Sequence, residues 1–147
     1  MLFRSAELVR VTRTGGYLHL IAEDYGMIHF QRARLDPSDF WHRAPTSFGK
    51  ATGTDLFIGR SIFGILAAMN LKDITMDYVV VDTLRVPRET FAAIIEAWRD
   101  GYAESIGQLT PITREAAEAH FNQMIANIRD PNGYAVWMVP VVSAHVG

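Results

Sequence analysis

The stretch Gly15-Gly16-Tyr17-Leu18-His19-Leu20-Ile21-Ala22-Glu23-Asp24-Tyr25-Gly26 constrains the fold more than any other part of the chain. Residues 17–22 are apolar apart from His19, a pattern that suits a strand covered on both faces, as in a parallel sheet, rather than one with a wet face. In open α/β sheets ligands collect beyond the carboxyl ends of the strands. Glu23, Asp24 and Tyr25 stand at that end and are the first candidate substrate-binding residues. His19, inside the strand, reads as a packed core histidine with a backbone partner.

Composition narrows the partners. A chain of 147 residues suffices for one domain with a real core. Its formal net charge of −2, with no Lys/Arg-rich run, offers no basic field for a phosphate backbone, so nucleic acid is not an expected partner. The absence of cysteine removes disulfides, thiolate metal sites and a Cys nucleophile. Apolar runs such as 62–69 and 136–142 are too short to span a bilayer, and the first residues lack the order of a signal peptide. A cytoplasmic protein with no membrane partner is the expectation.

At the start, Ser5 suits an N-cap, with Leu2, Ala6 and Val9 on one side of a short helix that Gly15 or Gly16 closes. So brief a lead into the most buried strand predicts a piece of a longer domain. Residues 27–54 carry the turn signals Asp36-Pro37-Ser38 and Ser47-Phe48-Gly49 and read as a long aromatic loop, a lid, holding His29, Trp41 and His42. Thr54 or Asp55 then caps a helix with Ile58, Ile62, Ile65, Leu66 and Met69 on one face, and Asn70 suits the left-handed residue after it.

A second strand, 74–81, is rich in β-branched residues and reads as partly covered on both faces. Residues 86–130 read as a helical insert. Its first helix begins at Pro87, with Phe91, Ile94, Ile95, Trp98 and Tyr102 as the stripe and Gly101 weakening its end. Its second starts at Thr113, carries Ala117, Phe121, Met124, Ile125 and Ile128, and stops at Asp130-Pro131-Asn132-Gly133. The last strand runs from Tyr134 to about residue 142, and Pro140 belongs at a bulge or beyond its paired part.

The run Leu8-Val9-Arg10-Val11-Thr12-Arg13-Thr14-Gly15-Gly16-Tyr17-Leu18 resembles the helix ending in Arg-x-Leu-x-Pro-Gly-Gly, followed by the fifth strand, of class I S-adenosylmethionine-dependent methyltransferases. Val11 stands at the Leu position and Thr14 where proline is usual. Residues 53–60, with the helix 61–69 and strand 73–81, are similar to the family's next helix and sixth strand, and 134–142 to its antiparallel seventh strand, which lies between the fifth and sixth. The resemblance covers nearly the whole chain and implies the C-terminal half of such an enzyme.

That resemblance implies an α/β fold class: a partial Rossmann-like methyltransferase fold, with a small mixed three-stranded sheet, ordered first, last, middle, and flanking helices. The family's glycine-rich turn after the first strand and the acid ending the second have no counterpart here, so the cofactor-binding half is absent. S-adenosyl-L-methionine would be the cofactor of the intact enzyme, and none is expected to bind this piece alone.

The implied function is methyl transfer to a small molecule, this piece supplying the substrate side of the pocket and being inactive by itself. Glu23, Asp24, Tyr25, His29, Trp41 and Arg60 are the substrate-binding candidates, Arg60 pairing with Asp24 or with a substrate carboxylate. His29 is the candidate catalytic base, although methyl transfer often needs only in-line positioning, and a surface role for His29 is the plain alternative. Trp98, Tyr102 and Phe121 rank second as pocket residues, and no residue set has metal-ligand spacing. The competing reading is a complete non-enzymatic α+β module that binds an apolar ligand or dimerises. An unpaired edge on the first strand would favour the cut piece, with self-association as a consequence; an edge covered by the chain itself would favour the complete module.

Overall fold

The computed structural model describes Leu2 to Gly147, with side chains from Ala6 onward. The expected cap Ser5 and the expected face residue Leu2 therefore lie outside the described side chains. In chain order the elements are α1 (Leu2–Val11), β1 (Tyr17–Ile21), β2 (Ile28–Phe30), α2 (Pro37–Thr52), α3 (Ile62–Ala68), β3 (Lys72–Asp82), α4 (Arg88–Leu109), α5 (Arg114–Arg129) and β4 (Ala135–His145). The class is mixed α/β, with five α-helices and a four-stranded sheet among the described residues.

The sheet differs from the expected one in two ways. β2 is an additional strand, and the pairings of β1 and β2 with β4 are antiparallel, so the expected mixed three-stranded sheet is an antiparallel four-stranded one. β3 also pairs with β4. The expected order of first, last and middle strand is present. Pro140 falls outside both registered runs of β4, which pairs through 141–145 with β1 and through 135–137 with β2. A residue without an N–H costs least there.

The chain forms two compact units. The first comprises Met1–Asp24, Asp55–Val79 and Met138–Gly147. Its core joins Leu18 and Ala22, Ile62 and Leu66 of α3, Leu71, and Val142 and Ala144 of β4. The even-numbered side chains of β1 turn inward, whereas Tyr17, His19 and Ile21 are exposed. This corrects the expectation of a strand buried on both faces: an apolar run shows what a strand can bury, and not how many layers are there to bury it. His19 is likewise no core residue, since its Nδ1 lies 2.9 Å from the Ser143 hydroxyl on the outer face. β3 is more exposed than its composition suggests, with Tyr78 and Val79 about half accessible.

The helix expected from Thr54 or Asp55 is shorter than its apolar pattern. Asp55 Oδ1 accepts from the Phe57 N–H, a turn, and a 3₁₀ turn at Ile58–Arg60 precedes α3. Asn70 does adopt the left-handed conformation, φ 60°.

The second unit comprises Tyr25–Thr54 and Val80–Trp137. The segment 27–54 is largely helical where a loop was expected. Asp36 accepts from the Ser38 N–H as an N-cap, Pro37 opens the helix, and Gly53 closes it at φ 69°. Phe40, Trp41 and Ala44 are its buried face. These residues bury apolar area that outweighs Pro45, which cannot donate to the preceding turn.

α4 and α5 form a helical hairpin at the expected place. α4 continues through Gly101 to Leu109, beyond the expected weakening. Thr113 Oγ1 accepts from the Ala116 N–H, capping α5 as its sequence predicts. Arg88 reaches the other end of α5, donating to the carbonyls of Ile128, Pro131 and Gly133 at 2.6, 3.1 and 3.0 Å.

Candidate functional site

The first unit sets an ion pair with one buried partner at the exit of β1. Ala22 N–H donates to the Pro140 carbonyl, and the chain then turns so that the Glu23 carbonyl accepts from the Gly59 N–H. Gly59 is required by space: a Cβ there would lie 2.5 Å from the Ala22 carbonyl oxygen, 2.8 Å from Asp24 Cβ and 2.8 Å from Pro140 Cγ. This close approach brings Arg60 onto Asp24. Arg60 Nη2 donates to Oδ1 at 2.7 Å, and Nε and the backbone N–H donate to Oδ2 at 2.7 and 3.1 Å.

Asp24 is fully buried, while the Arg60 side chain is 54% exposed and its guanidinium lies 4.7 Å above the Phe57 ring. The hydrogen bonds to Asp24 hold the Arg60 guanidinium above its ordinary pKa, against a smaller effect of burial. Both carboxylate oxygens of Asp24 are occupied by Arg60, so the geometry gives Asp24 the task of fixing the guanidinium, and gives Arg60 a solvent-facing side that can meet an anion. The pairing offered by the sequence between Arg60 and Asp24 is thus present. Glu23 is exposed beside it.

The second unit holds the aromatic candidates. Tyr25 lies 5.5 Å from Trp41 and 5.3 Å from Trp98, ring centroid to centroid. Trp98 meets Trp41 at 5.8 Å and Trp137 at 4.9 Å, both edge to face. Phe40, Phe121 and His120 continue the cluster. The indole N–H groups of Trp41 and Trp137 and Nδ1 of His120 are buried with no hydrogen-bond partner. Burial pushes the His120 pKa down, partly opposed by Asp39 and Asp36. His29 stands apart from these rings as an exposed residue of β2, opposite Val136. Tyr102 is also exposed, and His42 lies on the exposed side of α2.

The predicted residues thus fall into Glu23, Asp24 and Arg60 in one unit and Tyr25, His29 and Trp41 in the other. Sequence reasoning missed Trp137, Phe40 and His120. Phe40-Trp41-Ala44 at helical spacing was the available signal for Phe40, and His120 beside Phe121 on α5 for His120.

Another buried acid was also missed. Asp82 ends β3 and accepts from the Leu84 and Arg85 N–H groups and from the Arg85 guanidinium. Burial raises its pKa, but these donors outweigh burial and hold it below the usual carboxylate value.

A cavity of about 360 Å³ in the first unit is lined by Val9, Met69, Asn70, Leu71, Lys72, Val146 and Gly147, none of them a predicted site residue. Among the described residues no group of three or more His, Cys, Asp or Glu is arranged to hold a metal ion, and no helix is long and apolar enough to cross a membrane. No protein-family model matches the chain, and no curated protein matches it.

Proposed function

We propose that this chain is the substrate-side part of an S-adenosylmethionine-dependent methyltransferase that acts on a small molecule. The observation that carries the reading is the strand order within the first unit. The final strand β4 lies between β1 and β3 and runs antiparallel to β1, as the seventh strand of the resembled family lies between the fifth and sixth. The Gly15-Gly16 turn leading into β1 and the acidic residues leaving it stand where that resemblance expects them. A second support is the open edge of β1, which has no strand partner besides β4 among the described residues.

In this reading the glycine pair is not part of a cradle for S-adenosylmethionine. Gly15 N–H is spent on the Val146 carbonyl, Gly16 N–H on the Arg13 carbonyl, and a Cβ at Gly16 would lie 2.5 Å from Thr12 Cγ2. The glycine pair therefore serves the turn, and no helix N-terminus is directed from it toward a ligand. In this reading Arg60, fixed by Asp24, binds an anionic group of the methyl acceptor, and in-line positioning supplies the rate enhancement.

Titration calorimetry with S-adenosylmethionine tests the assignment of parts: no binding heat is expected, and saturable micromolar binding by these 147 residues would overturn it. The coding sequence upstream of Met1 is the second test. A glycine-rich turn after a strand, in frame, is expected there, and a stop codon directly before Met1 would sink the reading.

A further inference from the structure

We propose that two copies of this chain pair edge to edge through β1, antiparallel and centred on His19, an interaction that rests on the same open strand edge as the methyltransferase reading but is tested apart from it, by oligomeric state and register. The Ala22 N–H donates to β4, and the Gly16 carbonyl accepts from it. Backbone groups alternate sides along a strand, so the even-numbered residues of β1 face β4, and the N–H and C=O of Tyr17, His19 and Ile21 face the open edge. Such an edge is normally blunted by lysine, proline, a charge or a bulge, and Tyr17-Leu18-His19-Leu20-Ile21 contains none of them.

The edge is complementary to itself. With His19 opposite His19 of the second copy, Tyr17 falls opposite Ile21 and Leu18 opposite Leu20. Tyr17 and Ile21 are 56% and 68% exposed, and an aromatic side chain against a β-branched one is a favoured cross-strand pair. Leu18 and Leu20 then continue the inner face from one copy into the next.

Charge selects the direction. Arg13 is exposed just before the strand. Antiparallel pairing sets the two copies of Arg13 at opposite ends of the contact, whereas parallel pairing would set Arg13 beside Arg13. The contact is isologous and closes at two copies.

Sedimentation velocity on the full chain across the micromolar range should show a concentration-dependent equilibrium between monomer and a species of twice the mass. Because the chain has no cysteine, the register can be read by cross-linking. His19→Cys should form a disulfide-linked dimer under mild oxidation, since directly paired residues lie about 5.5 Å apart. Tyr17→Cys should not, as the two copies of residue 17 would be about 14 Å apart.

Ile21→Lys should weaken dimerisation at least tenfold while circular dichroism and melting temperature stay at the parent values, because the side chain is exposed in the monomer. A monomer at every concentration, an open series of larger species, equal cross-linking at both cysteines or at neither, or undiminished association of Ile21→Lys would each overturn the proposal.

Discussion

Arg60 holds both carboxylate oxygens of Asp24, with its own backbone N–H adding a third hydrogen bond. Removing the guanidinium with Arg60→Ala leaves a buried carboxylate with fewer donors. A loss of about 2 kcal/mol is expected, moderated by the exposure of the arginine head. Arg60→Lys should restore less than half, because an ammonium cannot match two oxygens in one plane. Urea denaturation of the three proteins checks both figures.

Gly59 and Gly64 make a controlled pair. A Cβ at Gly59 would overlap the Ala22 carbonyl and the Asp24 Cβ, so Gly59→Ala should cost about 2 kcal/mol. At Gly64, inside α3, nothing lies within 4 Å of the added carbon. Gly64→Ala should therefore stabilise by about 0.5–1 kcal/mol through helix propensity and the reduced entropy of the unfolded chain. Thermal melts of opposite sign are the expected readout.

Arg88 spans three carbonyls at the end of α5, where the helix dipole also favours a cation. Arg88→Lys keeps the charge but loses the fork. The expected cost is about 1.5 kcal/mol, and amide hydrogen exchange should rise first in the last turn of α5.

Stability should depend on pH in two separate windows. His120 has a lowered pKa in the fold, so the unfolded chain binds the proton more readily; its contribution is full above about pH 6.5 and is lost as pH falls below it. Asp82, also lowered, contributes above about pH 4 and loses its contribution as pH falls further. Chemical denaturation at a series of pH values should show both declines on acidification. His120→Leu should remove the first and leave the second, whereas Asp82→Asn should leave the first and reduce the second, to which Glu89 and Glu115, also lowered by their hydrogen bonds, contribute as well.

The helices α4 and α5 were legible because their signals are local and agree. Thr113, the stripe from Ala117 to Ile128 and the turn at Asp130 all specify one helix with one cap and one stop. α2 was misread because Asp36-Pro37-Ser38 and Ser47-Phe48-Gly49 look like turns, yet Asp36-Pro37 is also an N-cap followed by a first-turn proline, and Gly53 is a suitable stop. Packing of Phe40 and Trp41 decides between the two readings, and packing is not local. The same limit applies to β1. Its sequence fixes which side chains alternate, but the layer that covers residues 17, 19 and 21 is a property of the rest of the molecule. In the candidate site, Asp24 and Arg60 could be paired from a strand exit and a helix start. The contact of Trp41, Trp98 and Trp137 could not, since each comes from a different element.

β4 is the strand with which β1, β2 and β3 all pair. The His19–Ser143 contact joins residues 124 positions apart, while α4 and α5 meet across one short turn. The helical hairpin needs only local contacts, whereas the strands pair only when residues far apart in sequence meet, so the hairpin is the part expected to form first. Removing β4 would take from β1 and β2 the strand with which each of them pairs.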